Sequence, residues 1–181
     1  MRRASQQLQD ELLVLRCQDG DAEALNELVS RWQQPLWRHA RRLTGRADAA
    51  WEVTQNGWLA IVRDLPRLED PARFRAWAYR IMTHKAADWV RRRSRDRRVT
   101  HELNPETHAA PAQPAGPAEA DAVKAKLAGM DDVHRLVLVL HHVDGLTVSE
   151  IAEIVGVPVG TVKSRLHNGR AQLKRLLEGS D

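Results

Sequence analysis

Apolar residues recur three and four positions apart along most of the chain, which is the spacing of one face of an α-helix. No segment alternates apolar and polar residues between two sets of turn residues, so no sheet is expected. The pattern predicts a helix that ends at Gly20, a second that Asp21 caps and that carries Leu25 to Trp32, and a third that stops near Gly45. Further on it predicts helices from Trp51 to Val62 and from about Ala72 to Arg95.

The segment 101–121 interrupts this pattern. It contains four prolines and many alanines, with hardly any large apolar residue. Such a stretch cannot bury enough apolar surface to fold by itself, so we expect a flexible linker between a domain of residues 1–100 and a domain of residues 122–181. All six tryptophans lie between positions 32 and 89, whereas the C-terminal part relies on Leu, Val and Ile. The sequence therefore predicts an all-α protein with two small helical domains and two independent cores.

The segment 145–166 has the local signals of a helix-turn-helix. Thr147 followed by Glu150 forms a capping box, which satisfies backbone donors at a helix start. Gly156 can adopt the left-handed conformation that ends this helix, and Pro158 favours the first turn of the next one. Two helices joined by a tight turn that contains glycine are typical of DNA-binding proteins.

The second helix of this motif divides into two faces. Its apolar residues recur at helical spacing and should pack inward: Val162, Leu166, Gly169, Leu173 and Leu176. The opposite face is small, polar and basic, as a helix that enters the major groove requires. We expect Lys163 and Ser164 to reach base edges, and Arg165, Arg170 and Lys174 to contact phosphates. The simpler alternative is an amphipathic hairpin whose basic face is only solvated.

A second informative block runs from Phe74 to Arg93, where aromatic and basic residues alternate on one long helix. Aromatic rings can stack on unpaired bases while Arg and Lys hold the backbone. The spacing of Phe74, Trp77 and Ile81 favours a core position for these three. His84, Lys85, Asp88 and the following arginines are better candidates for the surface.

Charge supports a nucleic-acid partner. The 181 residues include 28 Lys and Arg against 24 Asp and Glu, a formal net charge of only +4. Acidic and basic residues are mixed through the first seventy positions, whereas the stretches 80–98 and 163–175 are predominantly basic, and 99–123 contains acids and no Lys or Arg. This distribution predicts a polyanion contacted at two places.

The remaining composition narrows the class of protein. No apolar run of about 18 residues occurs, so no membrane insertion is expected. The N-terminal residues are not those of a secretory signal, and the single Cys17 permits no internal disulfide, which together favour the cytoplasm. We find no phosphate-binding glycine loop, nucleophile constellation or metal-ligand cluster. The sequence thus predicts neither an enzyme nor a cofactor.

The C-terminal segment resembles region 4 of the extracytoplasmic-function (ECF) group of sigma factors, RNA polymerase subunits of the sigma-70 family. Val157 to Leu166 carries the resemblance almost residue for residue. In that family region 4 reads the upstream (−35) promoter element. The resemblance implies DNA contacts there by Lys163, Ser164, Arg165, His167, Asn168 and Arg170.

The block from Phe74 to Arg93 resembles regions 2.3 and 2.4 of the same family, which recognise the downstream (−10) element partly as a single strand. The resemblance implies contacts by Arg80, His84, Lys85, Asp88, Arg91 and Arg92. The family commonly has Asn where this chain has His84.

Glu52, Gln55 and Asn56 fall where the family has an Asp-x-x-Gln-Glu pattern that grips the polymerase clamp, with Asn56 in place of the usual acid. The resemblance therefore implies a sigma factor that binds core RNA polymerase and promoter DNA, under control of an anti-sigma factor. Two alternatives are a free-standing regulator and a nucleic-acid enzyme. The first needs a ligand pocket, a phospho-acceptor domain or a dimerisation helix, and the second needs a catalytic cluster.

Overall fold

The computed structural model describes residues 2–103 and 129–178, with side chains at 5–95 and 129–178. Within these ranges every regular element is helical, which confirms the predicted all-α fold. The chain divides into two compact units, Met1–Ala109 and Ala110–Asp181. Of the predicted linker, residues 101–103 continue a helix, and residues 104–121 lie outside the described part of the chain.

The first unit contains four α-helices: α1 (Arg2–Gln18), α2 (Ala22–Thr44), α3 (Ala47–Asp64) and α4 (Phe74–Leu103). Short 3-10 turns at Leu65–Arg67 and Pro71–Arg73 connect α3 to α4. The Asp21 side chain caps α2 by accepting hydrogen bonds from the backbone N–H groups of Glu23 and Ala24, as predicted. At the other end of α2, Gly45 has φ 74°.

The prediction of two helices between Ala22 and Thr44 is wrong, because α2 continues through Pro35. Proline removes one backbone hydrogen bond and usually ends or kinks a helix. Here Trp32, Leu36 and Ala40, at four-residue spacing on both sides of Pro35, are all buried. The continuous apolar face packs on α3 and α4 and offsets the missing bond. The helix α4 is also longer than predicted, because it extends beyond Arg95 to Leu103.

The close approach of α3 and α4 depends on Gly57. A Cβ at this position would overlap the Sδ and Cε atoms of Met82, which is fully buried. A buried polar contact between α2 and α4 lies nearby. The Nε2 atom of His39 is 2.9 Å from Oγ1 of Thr83, whose hydroxyl donates to the Tyr79 carbonyl at 2.8 Å. Since that hydroxyl proton is already used, Nε2 of His39 donates to Thr83.

The buried face of α4 differs in part from the prediction. Phe74 is buried as expected, but Trp77 and Ile81 are only half-buried. The packed residues on this helix are instead Ala78, Met82 and Ala86. Because α2 and α3 both contact α4, the centre of its buried face is set by their positions and lies to one side of Trp77 and Ile81.

The second unit contains α5 (Asp132–Leu138), a π-helical turn (Val139–Val143), α6 (Val148–Val155) and α7 (Val159–Glu178). Its core is aliphatic, as predicted: Val137, Leu138, Leu140, Leu146, Ile151, Ile154, Val162 and Leu166 are buried. Gly169 brings α7 close to α5, since a Cβ there would lie 3.2 Å from Cγ of Leu138.

Candidate nucleic-acid interfaces

The helices α6 and α7 form the predicted helix-turn-helix. The Thr147 backbone N–H donates to Oε2 of Glu150 at 2.6 Å, and the Glu150 N–H donates to the Thr147 hydroxyl at 3.2 Å. This confirms the capping box. Gly156 has φ 72° and donates to the Ala152 carbonyl, so α6 ends as predicted. The Pro158 carbonyl accepts the first backbone bonds of α7 from Thr161 and Val162.

The side chains of α7 divide as its sequence indicated. Val162, Leu166 and Gly169 are buried, while Leu173 and Leu176 are half-buried. The exposed residues Lys163, Ser164, His167, Asn168 and Arg170 form one surface, which we call the α7 outer face. Arg165, which the sequence placed with them, is half-buried at the margin of this surface. From Val159 to Leu177 the helix contains no acid, so the α7 outer face is uniformly cationic or neutral.

Two hydrogen bonds orient side chains of the α7 outer face. The Ser164 hydroxyl donates to the Thr161 carbonyl at 2.9 Å, which leaves the oxygen lone pairs as acceptors. Nε of Arg170 donates to Nε2 of His142 at 3.3 Å. This bond requires an unprotonated Nε2, and burial, with the nearby His141 and Arg170, lowers the pKa of His142. This contact could not be predicted from the sequence, because the two residues are 28 positions apart.

The candidate residues on α4 lie on two adjacent faces. Arg80, His84, Asp88 and Arg91 are exposed at helical spacing and form what we call the α4 outer face. The carboxylate of Asp88 is paired with Arg91. Trp77 is half-buried in the turn below Arg80, so an aromatic edge borders this cationic surface.

Lys85 and Arg92 are seven residues apart and turn toward α3. Here they line a cleft of about 300 Å³, which we call the α3–α4 cleft. Its lining residues are Val53, Asn56, Lys85, Asp88, Arg92 and Arg95. Of the six residues predicted to bind the −10 element, four therefore form the α4 outer face and three line the cleft, with Asp88 belonging to both surfaces.

The candidate polymerase-contacting residues are on α3. Glu52, Gln55 and Asn56 are all exposed. Oε2 of Glu52 accepts a hydrogen bond from Nε1 of Trp89 at 2.9 Å, and the guanidinium of Arg93 lies 5.4 Å from the centre of the Trp89 ring. Of the three candidates, only Asn56 lines the α3–α4 cleft.

Sequence reasoning missed the apolar part of this α3 surface. Trp51, Leu59 and Val62 are exposed beside Glu52 and Gln55, and Leu59 is the most exposed of the large apolar residues described, at 72%. We call these five residues the α3 outer face. The signal was present in the sequence, because positions 52, 55, 59 and 62 follow helical spacing opposite the buried Val53 and Gly57. Exposed apolar residues grouped in this way mark a surface for a partner.

Metal sites and membrane spans are not found within residues 2–103 and 129–178. His, Cys, Asp and Glu side chains there do not assemble into a group that could hold a metal ion. Each helix in the same ranges is too short or too polar to traverse a membrane.

Comparison with known proteins defines the class. Residues 28–96 match the family model of sigma-70 region 2, and residues 120–173 match that of sigma-70 region 4. The ECF RNA polymerase sigma-E factor of Escherichia coli strain K12 is 30% identical over 178 residues, covering 92% of this chain and 93% of that protein. The ECF sigma factor SigE of Mycolicibacterium smegmatis is 34% identical over 87% of this chain, which spans 64% of that longer protein.

Solved structures agree with these sequence matches. CnrH, determined in complex with the cytosolic domain of CnrY, superposes with a TM-score of 0.75 at 27% identity, covering 96% of this chain and 99% of CnrH. The chain belongs to the ECF group of RNA polymerase sigma factors. It is accordingly a promoter-specific transcription initiation factor and not an enzyme.

Proposed function

We propose that this sigma factor reads the two promoter elements with separate surfaces, the −35 element with the α7 outer face and the −10 element with α4, while the α3 outer face holds core polymerase. The observation that carries the proposal is the placement of the two cationic helix surfaces in different compact units. A promoter presents two elements on one DNA molecule, and two such surfaces can contact both.

The acid-free outer face of α7 supports duplex reading at −35. Its N-terminal end carries Lys163 and Ser164, both exposed, where a recognition helix meets base edges. The Ser164 oxygen is available as an acceptor, and Lys163 offers donors only, so the two suit different base edges. Arg165 and Arg170 lie toward the flank and suit phosphates, as do His167 and Asn168 one turn further along the helix.

The α4 outer face supports capture of the −10 element. Arg80, His84 and Arg91 present donors, while the half-buried ring of Trp77 offers an aromatic edge at the same surface. Opened DNA needs both a cationic path for its backbone and aromatic surface for its unpaired bases. Lys85 and Arg92 extend the positive charge toward α3.

The α3 outer face supports polymerase binding. Leu59, Val62 and Trp51 provide apolar contact area, and Glu52 and Gln55 provide polar groups among them. Interfaces combine a buried apolar centre with a polar rim in this way. We place the complex in the cytoplasm, where core polymerase acts.

A regulatory protein partner completes the proposal. CnrH, the structural relative at 27% identity, was solved in complex with the cytosolic domain of another protein. Together with family membership, this supports an anti-sigma factor that binds the present chain and withholds it from polymerase.

Affinity for core polymerase tests the α3 assignment. Leu59→Ser should weaken binding of the labelled chain to core polymerase at least about tenfold, because an exposed apolar anchor is lost from an interface. Leu8→Ser is a matched control on α1, since Leu8 is 67% exposed and Leu59 is 72% exposed. Both variants should melt at the wild-type temperature. Equal affinities for the two variants would remove the α3 outer face from the polymerase interface.

A further inference from the structure

The α3–α4 cleft has the composition of an anion site. Val53 and Asn56 of α3 form one wall, and residues of α4 form the other, including Lys85, Arg92 and Arg95. The cleft volume of about 300 Å³ is roughly ten times the ~30 Å³ that a water molecule occupies in the liquid. It therefore has room for a phosphate group and several waters.

The cations of this cleft form no ion pair within 4.0 Å with a carboxylate in the part of the chain whose side chains are described, although Asp64 lies near enough to Lys85 for that charge to help lower the pKa of Asp64. Neither Lys85 nor Arg92 has a carboxylate within 4.0 Å there, and Arg95 donates only to the Arg91 carbonyl, at 3.5 Å. The single acid of the cleft, Asp88, is already paired with Arg91 outside it. Three cations close together repel one another, and a bound anion would relieve that repulsion.

Asn56 is the neutral polar group of the site. Its amide offers two N–H donors to a phosphate oxygen and adds no charge of its own. A carboxylate at the same position would place a negative charge beside Lys85 and Arg92. An amide leaves the positive charge of the cleft available to a ligand.

We propose that Asn56, Lys85, Arg92 and Arg95 form a phosphate-binding site. The phosphate is either a backbone phosphodiester of the DNA strand held on α4 or the phosphate of a free nucleotide. Asn56 then takes part in anion binding at the cleft. If the ligand is a DNA phosphate, the inference rests on the proposed −10 function. It then extends that function by adding Asn56 and Arg95 to the DNA-binding residues.

The test uses the full-length chain and two probes. Sodium pyrophosphate represents a free phosphate, and a fluorescent abasic decadeoxynucleotide represents a DNA backbone without bases. Asn56→Glu places a carboxylate among the cations, and Arg92→Gln removes one cation. Gln34→Glu is the matched control, because it adds the same charge at an exposed position of α2. Amide chemical shifts report pyrophosphate binding, and anisotropy at several salt concentrations reports decamer binding.

We expect Asn56→Glu and Arg92→Gln each to weaken binding about tenfold, the size of one charge-assisted contact. For the decamer, the slope of log K against log salt should fall by about 0.7, which corresponds to one single-strand phosphate contact. If the variants bind both probes more weakly, the site accepts either kind of phosphate. If they bind only one probe more weakly, that probe represents the natural ligand. Amide shifts at 53–56 and 85–95 should accompany pyrophosphate binding to the wild-type chain.

The inference is overturned if the wild-type chain binds neither probe, or if Asn56→Glu loses no more affinity than Gln34→Glu. This outcome is distinct from failure of the proposed function. A chain that binds pyrophosphate at the cleft but selects no start site with core polymerase would contradict the function alone. A chain that selects start sites without binding either probe would contradict the cleft alone.

Discussion

The indole Nε1 of Trp89 donates a 2.9 Å hydrogen bond to Oε2 of Glu52, and so joins α4 to α3. On α4, Trp89 lies among the cations proposed for DNA, with Arg93 against its ring. On α3, Glu52 lies in the surface proposed for polymerase. The bond therefore links the surface proposed for DNA directly to the surface proposed for polymerase.

This bond should appear as a coupling energy. Trp89→Phe keeps most of the ring and removes the donor, while Glu52→Gln weakens the acceptor. In a double-mutant cycle of thermal or urea unfolding, we expect a coupling of about 0.5–1 kcal/mol, at the low end for residues in contact because this bond is exposed to solvent. A coupling indistinguishable from zero would mean that the two side chains act independently in solution.

Gly57 should be a stability determinant of the first unit. Gly57→Ala places a methyl group against the buried Met82 side chain, and overpacking of this kind costs about 1–3 kcal/mol. The gain of about 1 kcal/mol in helix propensity offsets part of that cost, so we expect a net loss in the free energy of unfolding. Urea unfolding measures it.

Gly160→Ala provides the matched comparison for Gly57→Ala. It is also a glycine within a helix, but a Cβ there meets nothing within 4 Å. We expect this substitution to be neutral or slightly stabilising. The same loss of stability at both positions would show that contact with Met82 is not the cause.

The α7 outer face should discriminate between promoters. Lys163→Ala and Ser164→Ala should each reduce transcription from a promoter with the matched −35 element relative to a promoter with a mismatched one. Each lost base contact should lower this discrimination by about 1–3 kcal/mol. Core binding should be unchanged. Arg165→Ala should instead weaken all promoters about equally, as expected of a phosphate contact. An equal loss of transcription at all promoters with Lys163→Ala or Ser164→Ala would assign these two residues to contacts with the DNA backbone.

The contact between His142 and Arg170 predicts a pH dependence of the second unit. The pKa of His142 is lowered in the folded chain by burial and by the nearby His141 and Arg170. The unfolded state therefore binds more protons, so stability falls as the pH drops below the unfolded value of about 6.5. We expect the melting temperature of this unit to decrease from about pH 6.5 to pH 5, and the decrease to be smaller in His142→Gln. Identical pH profiles for the two chains would contradict the assignment.

The helix-turn-helix could be predicted closely because its signals are local. The capping box of Thr147 and Glu150, the left-handed Gly156 and the two faces of α7 each depend on residues a few positions apart. Their conformations follow from backbone hydrogen bonding and helical period, with little help from distant parts of the chain.

The differences concern features that depend on packing between helices. Pro35 indicated a break, but the buried residues on both sides of it keep α2 continuous. Trp77 has the spacing of a core residue, yet the positions of α2 and α3 leave it half-buried. The α3–α4 cleft beside Asn56 also depends on the packing of α3 on α4, so it could not be predicted from the sequence.

The most direct measurement is run-off transcription with purified chain and sigma-free core polymerase on genomic fragments, with the 5′ ends of transcripts mapped. It is performed at permissive salt and without any inhibitor protein. We predict discrete start sites that core polymerase alone does not produce, each preceded by a common pair of sequence elements. Transcript ends identical to those of core polymerase alone would contradict the proposed mechanism.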